Sequence, residues 1–177
     1  MDALAQLLAR DQIRQLAERY ALAVDIRDLD ALVALFVSDV DCGRWGQGRE
    51  ALRASFEQQL RGNGPSVMLV ANHIIDFDDE DRAQGVVYGI AEAQLPEGWV
   101  RQAIQYHDDY VRRGESWLFA RRQHRLWYGV VLPYDPLAQP PANWPRSQVG
   151  RGTVPECWES WRRFQQGSGA RSNEERR

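Results

Sequence analysis

Asp25 heads the side chains that could do chemistry. The spacing around it predicts the last turn of a helix, where aligned peptide dipoles already concentrate partial negative charge, so a carboxylate is disfavoured there. Facing a desolvated cavity, such a group holds its proton more tightly than a free aspartate, and that suits a general base. Facing water, it is an ordinary corner residue. Its place at the edge of the apolar stripe leaves both readings open. Any histidine acid or base must be His73, His107 or His124. Strand parity sorts them: if Arg122 points to the concave side of a sheet, His124, Leu126 and Tyr128 share that side. His124 is then either the polar wall of a pocket or a partly exposed strand histidine. On the preceding strand Tyr106, Asp108 and Tyr110 share a face, so Tyr106 offers a phenolic hydroxyl unless it is only a packed strand residue. The acidic run at Asp76, Asp78, Asp79, Glu80 and Asp81 lacks the glycine and terminal glutamate of a calcium loop and reads as a solvated turn.

The elements that must position these groups follow from periodicity. Ile13, Leu16, Ala17, Tyr20, Ala21 and Val24 form one helical face, with Asp11 as the expected N-cap. Asp28 is placed to cap a second helix carrying Leu32, Leu35 and Phe36. Residues 40–45 read as a short strand, and Gly48 to Leu60 as a third helix ended by Gly62-Asn63-Gly64. Four strands follow at about 66–77, 83–95, 99–112 and 116–128. The turns between them are short enough to require an antiparallel meander. The expected fold class is therefore α+β, a curved sheet wrapped around three N-terminal helices with a pocket between the layers. We expect residues 1–130 to form this domain. Residues 131–167 form an arm holding six of the eight prolines, which excludes a central strand or a long helix through them. Trp144, Trp158, Trp161 and Phe164 imply that the arm packs on the domain or on a partner subunit. Residues 168–177 read as a disordered tail.

Composition removes several classes of function. All 22 basic residues are arginine, so Schiff-base chemistry and a phosphate loop ending in Gly-Lys are impossible. A net charge of −3 and a pI near 5.7 oppose nucleic-acid binding. Two cysteines far apart make no zinc cage or disulfide framework, and no dinucleotide, nucleophile-elbow or HExxH motif occurs. No metal and no cofactor are expected. Nor is a membrane segment, and a cytoplasmic location is the default.

The order of several short stretches resembles the SnoaL-like family: Ile13 to Asp25 with Tyr20 between, Asp28-Leu29-Asp30, Leu35 to Asp39, Gly48-Arg49-Glu50-Ala51-Leu52, Ala71 to Ile75, and Tyr106-x-Asp108 through Arg112, Trp117 and Arg122. The resemblance implies a cone-shaped α+β barrel, cystatin-like or nuclear-transport-factor-two-like, with a pocket between helices and sheet. The family's enzymes include ketosteroid isomerases, scytalone dehydratase, polyketide cyclases and hexachlorocyclohexane dehydrochlorinase. Carried over residue by residue, the family's aspartate at the end of the first helix is Asp25, and its pocket arginine is Arg122. Four positions before Asn72, where dyad enzymes carry a histidine, this chain has Met68. His73, one position past Asn72, should face away from the side shared by Met68, Val70 and Asn72.

These readings give the following expectations. The protein is a cofactor-independent lyase or isomerase that abstracts a proton from a small apolar molecule of steroid, polyketide or aromatic type. Asp25 is the base, Tyr106 or His124 donates to the developing oxyanion, and Arg122 supplies positive charge. Tyr20, Phe36, Trp45, Met68, Val70, Asn72 and Tyr88 line the pocket. The alternative is a non-catalytic binding or accessory subunit, as in the small subunit of ring-hydroxylating dioxygenases. In either case a homodimer or higher homo-oligomer is expected, because an open sheet face wants covering.

Overall fold

The structure, a computed structural model, describes residues 2–171. Helix α1 runs from Ala3 to Asp25 and buries Ile13, Leu16, Ala17, Tyr20 and Val24 on the predicted face. It starts earlier than the expected Asp11 cap. The Asp2 carboxylate accepts from the Ala5 N–H at 2.8 Å, so Asp11 lies inside the helix and bonds with Gln15 instead. At its far end, Asp28 N–H reaches Ala23 O at 2.9 Å and Arg27 N–H reaches Val24 O at 3.2 Å, the paired bonds of a Schellman stop. Arg27 occupies the left-handed position of that stop, φ 58°, where glycine is usual.

Asp28 caps α2 (Leu29–Ala34) by accepting from Ala31 N–H at 3.0 Å. The expected strand at 40–45 is instead a 3-10 turn, Gly43–Trp45, flanked by a single bridge between Asp41 and Gln47. Glycines at 43, 46 and 48 all hold positive φ, which coils the segment rather than extending it. Helix α3 (Arg49–Arg61) follows.

The sheet is a four-stranded antiparallel meander in sequence order: β1 Ser66–Phe77, β2 Arg82–Leu95, β3 Gly98–Arg113 and β4 Ser116–Val131. It is open rather than closed. The chain between α2 and the 3-10 turn seals one flank, where Val37 N–H reaches Phe119 O at 3.0 Å and Phe119 N–H reaches Leu35 O at 2.9 Å. Helix α1 lies across the concave face, and one core joins it to the sheet through Ile13, Tyr20, Leu32, Phe36, Val87, Ile104, Tyr110 and Phe119. Truncating Phe119, which is fully buried, to alanine would cost ~3–5 kcal/mol.

Three irregularities bend the sheet and redirect side chains. The β1–β2 register shifts between Val70 and His73, so Ala71 and Asn72 both lie on the solvent side while His73 turns in with Met68 and Val70. This reverses the parity expected for both Asn72 and His73. A second shift leaves Trp127 without a partner residue, with Ile104 opposite Leu126 and Ala103 opposite Tyr128. Tyr128 therefore leaves the face that His124 and Leu126 share. The third lies between Asp109 and Tyr110.

Beyond β4 the chain is irregular up to α4 (Glu159–Arg171), which begins once Pro155 is passed and proline no longer interrupts the backbone. Helix α4 packs on this chain's own α1–α2 corner. Ser160 Oγ donates to Ile26 O at 2.8 Å, and Arg61 stacks on Phe164 with its guanidinium carbon 4.5 Å from the ring centre. Of the tail expected to be disordered, the backbone of 168–171 continues α4, and 172–177 lie outside the described residues. Among the described residues, no helix is long and apolar enough to cross a membrane.

Candidate active site

Asp25 ends α1 beside the first residues of β1, and both of its oxygens are held. Oδ1 accepts from Ser66 Oγ at 2.9 Å and Oδ2 from the Met68 backbone N–H at 2.9 Å. Burial pushes its carboxyl above the ordinary range. The Met68 N–H, the Ser66 hydroxyl and the Arg27 charge pull in the opposite direction without cancelling the shift. The side chain is half-buried rather than sealed.

From Asp25 a continuous wall runs across the concave face. The Met68 thioether accepts a weak bond from the Tyr106 hydroxyl at 4.0 Å. The His124 ring meets Tyr106 edge to face, with centroids 5.6 Å apart, as their opposed places on β3 and β4 require. Burial lifts the Tyr106 phenol well above its usual range, so it stays a neutral hydrogen-bond donor. Burial also lowers His124, so its imidazole is neutral at pH 7. Asp25, Met68, Tyr106 and His124 thus form a chain of successive contacts, ending at the exposed His124 and at Leu126, 54% exposed.

Arg122 lies beneath this wall. Its guanidinium carbon sits 3.9 Å from the Tyr106 ring centre, 4.3 Å from Tyr20 and 4.6 Å from Phe119. An oxygen of Asp108 is 3.3 Å away, and Nε and Nη1 have no protein partner among the described residues. The network continues inward: Tyr110 Oη donates to Asp108 Oδ2 at 2.8 Å and lies 2.9 Å from His73 Nε2. Gly85, opposite Asp108, makes room for it, since a Cβ there would fall 2.9 Å from the Tyr110 ring. Burial raises Asp108 to about 6 against the pull of Arg122, and burial together with Arg122 lowers His73 to about 4.

The expected lining is only partly assembled. Tyr20 and Phe36 are buried and pack edge to face, 6.4 Å apart, so they fill the interior rather than bound an open space. Met68 and Val70 are half-buried against the core. Trp45 lies outside this core in the coiled 3-10 turn, under Arg44. Tyr88 alternates with buried Val87 and so faces the convex side, while Asn72 is exposed in the β1 bulge. Sequence reasoning missed Ser66, which holds Asp25, and Arg27, which holds Ser66, as well as the inward turn of His73. Only the polar Ser66 at a strand start, two positions before Met68, carried any signal.

A model of the SnoaL-like domain matches residues 5–123, well over half of the chain. The chain belongs to the SnoaL-like family. No curated protein matches it. Among solved structures, this SnoaL-like protein is similar to LinA at 24% identity and a TM-score of 0.71, covering 79% of this chain and 100% of that one. It is also similar to a putative scytalone dehydratase from Novosphingobium aromaticivorans DSM 12444, at 22% identity and TM-score 0.66, covering 78% and 99%. A third is a hexachlorocyclohexane dehydrochlorinase, LinA-type3, from Novosphingobium barchaimii LL02, at 21% identity and TM-score 0.67, covering 75% and 95%. At these identities the likeness establishes the cystatin-like α+β fold. A structure titled as having that fold, from Nostoc punctiforme, aligns at TM-score 0.56.

Proposed function

We propose that this SnoaL-like protein binds a small, largely apolar molecule at the open end of the cone and abstracts a proton from a carbon next to a carbonyl or leaving group. The observation that carries this reading is the Asp25 carboxylate: half-buried, held on both oxygens, and shifted towards the proton affinity a general base needs. Two structural neighbours, a dehydrochlorinase and a putative dehydratase, agree in reaction type, since both names describe eliminations.

In the forward step Asp25 takes the proton, and the electron pair it leaves moves towards the substrate's carbonyl oxygen. The neutral Tyr106 hydroxyl donates to that oxygen, and Arg122 below its ring favours the negative charge. Return of the proton to a more distant carbon completes an isomerisation. Departure of a leaving group, with its proton supplied by Asp25 or solvent, completes a dehydration or elimination. Because residue 68, whose backbone N–H bonds Asp25, is a methionine, the base works without an imidazole partner at that place. General-base catalysis of this kind is worth about 10²- to 10⁴-fold, and one oriented oxyanion donor about 10²- to 10³-fold.

The test is deuterium uptake in heavy water by steroid enones, cyclic ketones and aromatic polyols, read by mass spectrometry for the wild type and Asp25→Asn. Uptake with the wild type alone is expected. No uptake by compounds that bind overturns the catalytic reading in favour of a binding or accessory subunit, and equal uptake by both proteins removes Asp25 from the mechanism.

A further inference from the structure

The corner that ends α1 is strained, charged and covered by a segment distant in sequence. Arg27 holds φ 58°, a left-handed conformation that costs a non-glycine residue about 1–2 kcal/mol, yet it is only 2% exposed. Its guanidinium explains the arrangement. Nη2 donates to Gly64 O at 2.6 Å, and Nη1 donates to Ser66 Oγ at 3.0 Å and to Val24 O. Trp161 of α4 closes over it, with the guanidinium carbon 4.8 Å from the ring centre. Because an Arg27 N–H occupies a lone pair of Ser66 Oγ, the Ser66 proton is directed to Asp25 Oδ1, 2.9 Å away. Backbone strain held in place by a side-chain network, beside the proposed base, is the pattern expected where strain serves a site.

We propose that Trp161 is a positioning residue for Asp25, acting through Arg27 and Ser66, so that docking of α4 sets the orientation and proton affinity of the base. Trp161, itself 5% exposed, keeps water from the guanidinium and so keeps its hydrogen bonds aimed. The second tether, Ser160 Oγ to Ile26 O, fixes α4 to the residue between Asp25 and Arg27. Phe164 of the same helix stacks on Arg61 of α3. The charged group that acts on Asp25 is Arg27. Loss of the Trp161 cover therefore reaches the carboxylate by this path.

The inference rests on Asp25 being the base, but its test does not require turnover. The Asp25 carboxyl is followed by ¹³C NMR titration of the full chain, its resonance assigned by its disappearance in Asp25→Asn. Ser66→Ala, a small change that leaves the fold intact, is expected to raise the Asp25 midpoint by about one pH unit, the value of one hydrogen bond to a charged group. Trp161→Ala should raise it by about half a unit, Trp161→Phe should restore the wild-type midpoint, and the half-exposed Trp158→Ala should leave it unmoved. In a Ser66→Ala background, Trp161→Ala should shift the midpoint by clearly less than in the wild type, because only the through-space pull of Arg27 remains. An equal Trp161→Ala shift in both backgrounds, or none in either, overturns the proposal. If deuterium uptake fails while this coupling holds, the base assignment is wrong and the positioning path is real.

Discussion

Two carboxylates sit inside the cone with their pKa values pushed the same way by burial, yet their surroundings differ in kind. Asp108 is sealed, its side chain fully buried, 3.3 Å from Arg122 and accepting from Tyr110. Asp25 is half-buried, held by a hydroxyl and a backbone N–H, and its charged neighbour Arg27 pulls on it through space while bonding Ser66 rather than the carboxylate itself. A perturbed proton affinity therefore does not by itself identify a working group. What separates the two is exposure and partner: the Asp108 oxygens are sealed beside a guanidinium, whereas those of Asp25 are half-exposed and accept from neutral donors.

The sharpest way to break that contrast is to remove each carboxylate in turn. Asp108→Ala leaves the Arg122 guanidinium buried without its anion and should cost ~3–5 kcal/mol of unfolding free energy, measured by denaturant titration. Asp25→Asn should leave stability within about 1 kcal/mol of the wild type while lowering activity by about 10²- to 10⁴-fold. Similar stability losses in the two variants would erase the distinction. Tyr106→Phe should lower kcat by about 10²-fold with KM little changed, because its hydroxyl matters only once the oxyanion develops.

A smaller effect concerns His73, which belongs to the sealed half. Its folded value of about 4 lies below its ordinary value, so as pH falls through about 6.5 towards 4 the unfolded chain takes up a proton that the native chain refuses, and stability falls. Asp108 acts with the opposite sign. Raised to about 6, its contribution is present at low pH and fades as pH climbs through that value. His73→Gln should remove the first effect and expose the second, so the variant gains stability relative to wild type as pH drops from 6.5 to 4. A constant difference in Tm across that range would place His73 outside the buried network.

The same contrast governs what the sequence could reveal. The four strands were legible to within three residues at their ends because acidic and glycine turns punctuate them, and the buried face of α1 was legible from its spacing. Met68 opposite Asp25 could also be anticipated by counting from Asn72. What failed was parity across irregularities: Ala71-Asn72 and Leu126-Trp127 carry no residue type that announces a bulge, and one extra residue reverses every face beyond it. Arg27 was hidden for a related reason. A left-handed helix stop ordinarily takes glycine, and only the three-dimensional approach of Gly64, Ser66 and Trp161 reveals why arginine is tolerated there.

The pH dependence of substrate deuteration tests the central claim most directly, with the exchange rate of one ketone overlaid on the ¹³C titration of the Asp25 carboxyl in the same protein. Coincidence of the rising limb with the Asp25 midpoint, above the ~3.9 of a free aspartate, is the predicted result. A limb that follows the Asp108 carboxyl instead, while Asp25 titrates elsewhere, would contradict it.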